Sequence, residues 1–292
     1  MYEKYGNDYA NHIMLMECYV SDAYKFLKKG NYPALAMDAP FWVSCQNELA
    51  WPFGDGHNVA NVFTQSVGWP ARVTAGAVVQ PNVSFCMNHD QEKNQATMFT
   101  PRSPLPNDGS VTSQYDQFDQ FDYDRKLTNK VNAYRNVPAM YAIMLTNKGT
   151  VPCVYYGDLF NGDKVYMTEK TPYFGIITAL LKMRKRYVSG EQTVQFYVTN
   201  TSTQAGKDLC SSVRTGTSRD TGCAVVVGNN PDTFTKISIP MGQNHANQVF
   251  RNIVAIGDEY EKTDANGNLP VWASGRQDVF TYGHLSVWIP VS

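Results

Sequence analysis

Charge is scarce in this sequence and neither sign dominates: Asp, Glu, Lys and Arg make up 17% of its 292 residues, and the formal net charge is -1. A chain so balanced has no electrostatic footprint for nucleic acid or for an anionic membrane surface, and neither is expected as a partner. Long apolar runs are lacking too; none approaches the roughly eighteen residues of a membrane-spanning helix, so membrane insertion is not expected. The start, Met1-Tyr2-Glu3-Lys4-Tyr5-Gly6, has neither the basic end nor the apolar run of a signal peptide. The six cysteines (Cys18, Cys45, Cys86, Cys153, Cys210 and Cys223) form no C-x-x-C pair, and no histidine lies at zinc-finger spacing from them. Cys18, Cys86 and Cys153 sit in or beside apolar runs, where a free thiol behaves as a small hydrophobe, and all six read as structural thiols. No P-loop, dinucleotide fingerprint, nucleophile elbow or metalloprotease motif occurs, which removes the common nucleotide and hydrolase signatures.

Aromatic residues are what the sequence has in quantity: 18 Tyr, 14 Phe and 5 Trp. They suit a protein that stacks the flat faces of ligands, and equally one with a large core. The hydrophobic pattern divides the chain. Up to about residue 189, short apolar runs alternate with helix-length segments. His12–Glu17, Val83–Met87 and Val151–Tyr156 read as strands buried on both faces of a parallel sheet. Ala39–Trp51, Val137–Asn147 and Gly175–Tyr187 read as helices. The last carries Lys182-Met183-Arg184-Lys185-Arg186, a basic turn that complements its own C-terminus, and Ser189-Gly190 follows as a stop. From residue 190 to 292, short β-rich runs are separated by Gly, Asn and Asp turns, the pattern of an antiparallel β-domain. The runs are Thr193–Val198, Cys223–Val227, Lys236–Ile239, Gln248–Ile256 and His284–Val291.

The first-half runs end in polar groups: Glu17, Asn88-His89-Asp90 and Gly157-Asp158. In a parallel barrel, side chains just past the C-terminal strand ends converge on one face. Carboxylates from different strand ends are what glycoside chemistry requires, one as acid and another held ionised. Glu17 follows Met14-Leu15-Met16, an apolar setting expected to raise its pKa, whereas Asp90 has Asn88 and His89 beside it as donors. Plainer readings stay open: Glu17 as a paired surface carboxylate, Asn88-His89-Asp90 as turn chemistry with an N-cap, Asp158 as a helix cap. Tyr19, Trp69, Tyr155 and Tyr156 are either stacking groups or core.

The segment Thr150-Val151-Pro152-Cys153-Val154-Tyr155-Tyr156-Gly157-Asp158-Leu159, with Asn136–Lys148 before it, closely resembles glycoside hydrolase family 70, the glucansucrases and related α-glucanotransferases. The resemblance continues through Gly222–Pro231, Met241–Asn247 and Val287–Val291. It implies a partial, circularly permuted (β/α)8 barrel over residues 1–189, followed by an antiparallel, sandwich-like domain C over 190–292. The family's general acid/base segment matches Asn11–Tyr19 and puts that role on Glu17; its transition-state stabiliser matches Ser84–Asn94 and falls on Asp90. His89, Asn88, Gln91 and Tyr19 are then the expected sugar-binding residues. The Asn-His-Asp-Gln-x-Lys-Asn form is more similar to the starch-acting 4,6-α-glucanotransferase branch than to the sucrose-acting one. Implied with it are an α-glucan, maltodextrin or sucrose substrate, calcium as a bound ion with ligands not assignable here, and an extracellular location. Two departures stand out: Cys18 replaces a glycine after Glu17, and Glu92 a basic residue before Lys93. The family's nucleophile motif, Phe-Asp-Gly-x-Arg-x-Asp, does not occur in the 292 residues. The expectation is a fragment of a retaining α-transglucosylase without activity by itself, the alternative a catalytically inactive α-glucan-binding protein.

Overall fold

The computed structural model describes residues 15–17, 35–49, 58–64, 82–90, 136–161, 165–199, 207–277 and 282–291. Its first layer is a four-stranded parallel sheet in the order β1 (Leu15–Met16), β2 (Leu35–Met37), β3 (Asn82–Phe85), β4 (Thr150–Cys153). Met16, Ala36, Asn82 and Thr150 lie side by side across all four strands. Helices α1 (Ala39–Glu48), α2 (Ala60–Thr64), α3 (Val137–Thr146) and α4 (Phe174–Tyr187) accompany the sheet. Both α1 and α3 begin alike: Asp38 and Asn136 accept the third backbone N–H beyond them, and Pro40 and Pro138 occupy the first turn, where no donor is needed.

From Gln192 the architecture becomes antiparallel. β5 (Gln192–Tyr197), β6 (Leu209–Arg214), β7 (Cys223–Gly228), β13 (Tyr282–Pro290), β9 (Val249–Asn252) and β10 (Tyr260–Lys262) form one sheet in the spatial order β10-β9-β13-β7-β6-β5. The short β12 (Arg276–Gln277) pairs with β13, and β8 (Phe234–Pro240) with β11 (Asn268–Ser274) makes a separate two-stranded ribbon. The large sheet is covered on both sides. Val225, Val227, Leu285, Val287 and Ile289 join a buried cluster with Ile143, Leu145, Ile177 and Leu180 of α3 and α4. On the opposite face Ala224, Val226 and Trp288 join Ile237, Ile239, Leu269 and Val271 of the ribbon. Alternation along β7 and β13 therefore feeds two cores at once, which is why Cys223–Val227 reads as continuously apolar.

Polar groups stitch the layers together. Arg214 of β6, buried, donates from Nη1 to Thr146 O at 2.9 Å and from Nη2 to Gly190 O at 2.8 Å. Arg184 of α4 donates to Leu145 O at 2.5 Å. Two guanidiniums thus satisfy carbonyls at the C-terminus of α3. Asn229 Nδ2 does the same for Glu48 O at the end of α1, at 2.8 Å. Gly190 has φ +77°, and a Cβ there would meet Gly216 O at 2.4 Å, so the turn after α4 demands glycine.

Several expectations need correction. The basic turn of α4 does not simply face its own helix end, because Arg184 reaches α3. β4 is not buried on both faces: among the described residues it is the last strand of its sheet, and Val151 and Cys153 are exposed. Cys153 is therefore not a core thiol, whereas Cys45, Cys86, Cys210 and Cys223 are buried, with burial pushing Cys210 and Cys223 up to about 12. The run Gln248–Ile256 is a strand only to Asn252, whose Oδ1 accepts both Val254 N–H and Val287 N–H and turns the chain away. β2, β6, β10, β11 and β12 were not anticipated. In β6 the reason is Ser211 and Ser212, polar but buried, which hydrogen-bond Tyr197 and Gln192.

His284, Ser286 and Trp288 share the ribbon-side face of β13. Trp288 Nε1–H donates to Ser286 Oγ at 2.9 Å, Ser286 Oγ lies 3.1 Å from His284 Nε2, and His284 Nδ1 lies 2.9 Å from Ser274 O. This chain of donors suits neutral imidazole, and burial lowers the His284 pKa to about 4. Between pH 6.5 and 4 the unfolded chain is the better proton binder, so stability is full above that window and falls by about 3 kcal/mol across it. Urea midpoints measured from pH 7 to 4 are expected to show this slope, and H284Q to reduce it. Replacing Arg214 by Met strands the Thr146 and Gly190 carbonyls and is expected to cost about 2–5 kcal/mol by urea unfolding.

Candidate active site

The polar C-terminal ends of β1 to β4 all lie on one edge of the parallel sheet, because all four strands run the same way. β1 leads into Glu17, β2 into Asp38, β3 into Asn88-His89-Asp90, and β4 into Tyr155–Asp158. With β2 between them, β1 and β3 stand about 10 Å apart. Glu17 is exposed, as is Leu15 before it, so the apolar enclosure expected from Met14-Leu15-Met16 is not formed by the described residues. Asn88 is half-buried; His89 and Asp90 are exposed, with His89 Nε2 3.4 Å from Asp90 Oδ1. Tyr19 and Gln91, the other expected sugar-binding residues, lie outside the described residues, as does Trp69.

The bed beneath these groups is rigid for identifiable reasons. Asn82–Phe85 is buried along its whole length, with Trp42 of α1 stacked on Phe85 at 6.3 Å and Thr150 Oγ1 donating to Ser84 Oγ at 2.8 Å. Asp38 spends its carboxylate on structure: Oδ1 accepts Phe41 N–H at 3.0 Å and Oδ2 accepts Asn82 Nδ2 at 2.5 Å. Gln46 of α1 donates to Cys86 O at 3.2 Å and so fixes the chain just before Asn88. Asp158 is not a simple helix cap. It is buried and accepts the Tyr141 hydroxyl at 2.6 Å, while that same hydroxyl accepts Tyr155 N–H at 3.2 Å. Burial first, and the Asp158 carboxylate second, push the Tyr141 hydroxyl well above its ordinary pKa, keeping it a donor.

One feature of this edge was only half visible in the sequence. Tyr156 stacks on Tyr166 at 5.6 Å and 8°, and on Phe160 at 5.4 Å, while Phe160 meets Phe174 edge-on at 5.2 Å. The Tyr156 hydroxyl accepts Met167 N–H at 3.0 Å, and Tyr166 is 71% exposed at the end of the row. Tyr156 was a candidate stacking group; Tyr166, eight residues past Asp158 in a loop, carried no local signal. An aromatic row after the end of β4, and exposed carboxylate and imidazole groups after the ends of β1 and β3, are the two kinds of surface that match a sugar's apolar C–H faces and hydroxyl rim. Among the described residues no three His, Cys, Asp or Glu side chains gather in a group that could hold a metal ion. Among them, no helix is long and apolar enough to cross a membrane.

The family model for glycosyl hydrolase family 70 matches residues 3–269. The chain belongs to that family. Glucosyltransferase-I of Streptococcus downei is 28% identical to it over 323 residues, covering 99% of this chain and 20% of the relative. The truncated alternansucrase from Leuconostoc mesenteroides NRRL B-1355 superimposes with a TM-score of 0.76 at 26% identity, covering 99% of this chain and 32% of the other. An alternansucrase in complex with isomaltotriose matches equally well, at 25% identity, with 100% and 32% covered. This family 70 chain thus spans about a fifth of the length of the curated relative it matches.

The Tyr141–Asp158 pair generates a stability test. Y141F removes the donor from a buried carboxylate and is expected to cost about 1–3 kcal/mol by urea unfolding, whereas exposed Tyr166 truncated to Ala is expected to change stability by less than about 1 kcal/mol.

Proposed function

We propose that this chain is part of a retaining α-transglucosylase, contributing a portion of a circularly permuted (β/α)8 barrel and the β-domain that follows it. The observation that carries the reading is that Glu17 and Asn88-His89-Asp90 stand at the same edge of one parallel sheet, two strands apart, in a family 70 chain. An aspartate on a Phe-Asp-Gly-x-Arg-x-Asp strand, a motif not found in these residues, attacks the anomeric carbon of the donor. The glycosidic C–O bond breaks, and Glu17 delivers its proton to the departing oxygen. Glu17, now a carboxylate, takes the proton of an acceptor hydroxyl as that oxygen displaces the enzyme aspartate. Asp90 stays ionised against the positive charge on the ring, and His89, Asn88, Gln91 and Tyr19 hold the sugar more tightly in the transition state than in the ground state. The exposed Tyr166 face on Tyr156 is a ready stacking surface for a glucosyl ring.

The donor is a maltodextrin or starch chain, a reading that rests on the Asn88-His89-Asp90-Gln91-Glu92-Lys93-Asn94 sequence; sucrose is the rival donor. The product is α-glucan, and the enzyme works outside the cell as its relatives' family suggests. In the polypeptide that joins this chain to the nucleophile strand, E17Q and D90N are each expected to lower glucosyl transfer by about 100- to 10,000-fold. Chromatography of products from maltoheptaose and from sucrose, side by side, reads both rate and donor. The 292-residue chain alone is expected to transfer nothing, and glucose transfer by it overturns the reading.

A further inference from the structure

The ribbon of β8 and β11 presses one face, through Ile237, Ile239, Leu269, Val271 and Ala273, onto the large sheet. Alternation predicts a polar outer face. Instead, Phe234 is 74% exposed and Trp272 46% exposed, their rings stacked at 5.1 Å and 25°. Lys236 is the direct cross-strand neighbour of Trp272, with Nζ 5.8 Å from the ring centroid, and Ser274 is the neighbour of Phe234. Further along the same face lie Ser238 and Pro240, both exposed, and half-buried Pro270, the cross-strand neighbour of Ser238. The second core makes no use of either ring, and an outward Phe–Trp pair is not what a ribbon needs to fold.

The size and chemistry of the platform select its occupant. Two partly covered rings offer no more than about 300 Å², well under the roughly 800 Å² per partner of a stable protein interface. Ammonium and hydroxyl groups of Lys236, Ser238 and Ser274 border the rings, and Pro240 and Pro270 lie further along the same face. That mixture matches a hexopyranose, whose C–H face stacks on an aromatic ring while its hydroxyls reach the polar border. The ribbon that carries the platform lies across the large sheet from α3 and α4, and none of its residues comes from the parallel sheet whose strand ends carry Glu17 and Asp90.

We propose that the Phe234–Trp272 face is a second, non-catalytic binding site for linear α-glucan chains. It rests on the reading of this protein as a glucan-acting chain, and it adds a place where a polymer is held remote from the reaction.

Affinity electrophoresis of the 292-residue chain through gels containing soluble starch or dextran tests it. The unaltered chain is expected to be retarded by one of the two polymers, which also names the linkage preferred. W272A and F234A are each expected to weaken that retardation about five- to tenfold, and W272F to retain it. Because Phe234 is exposed, F234A is expected to melt like the unaltered chain, and that melt is the control. Unchanged retardation of both alanine variants overturns the proposal, as does retardation by neither polymer. So does a concentration-dependent dimer, seen by sedimentation, that W272A abolishes. Retardation lost in W272A, together with glucosyl transfer indifferent to E17Q in the polypeptide that joins this chain to the nucleophile strand, would instead reject the catalytic reading and keep the platform.

Discussion

The join between the C-terminus of α3 and the guanidiniums of Arg214 and Arg184 carries much of the architecture. A helix end leaves carbonyls without intrahelical partners, and a buried one must find donors elsewhere. Here the donors come from a strand of the antiparallel sheet and from the next helix. Burial and mutual repulsion press the Arg184 guanidinium toward a lower pKa, yet it lies far enough above neutrality to stay charged. The helix end and the sheet are therefore docked by charge-assisted bonds, and the apolar cluster of α3, α4, β7 and β13 closes around them.

That docking has a consequence for the strand-end edge. α3 supplies Tyr141, whose hydroxyl both fixes Asp158 and receives Tyr155 N–H. The loop after β4, with its aromatic row, is thus positioned by a helix that the antiparallel sheet holds in place. On the β3 side, α1 does the equivalent work through Asp38, Trp42 and Gln46. The acidic and imidazole groups at the edge stay exposed while the residues that set their backbone are buried.

Strong periodic segments were readable from sequence. α1, α3 and α4 start or end within a residue or two of their patterns, β3 appears where a continuous apolar run stands, and β7 and β13 where β-rich runs stand. β2 is only three residues and gives no run; β6 hides behind Ser211 and Ser212, whose burial depends on partners far along the chain. Glu17 and Asn88-His89-Asp90 stood out because each closes an apolar run, a local feature. Asp38 did not, since its role depends on Asn82, forty-four residues away.

The sequence by itself determined the local elements, the change from helix-and-strand to antiparallel rhythm near residue 190, and the polar groups at strand ends. Those follow from spacing, propensity and capping, which act over a few residues. Tertiary structure alone decided that the strand ends share one edge, that Asp158 is paired with Tyr141 rather than used as a cap, and that Tyr166 completes an aromatic row. It also decided which hydrophobic faces are left outside. Trp272 and Leu269 sit in one alternating strand, and only the placement of the ribbon on the large sheet makes the second a core residue and the first a surface. Long-range packing assigns the two sides of a strand, and no short window of sequence contains that information.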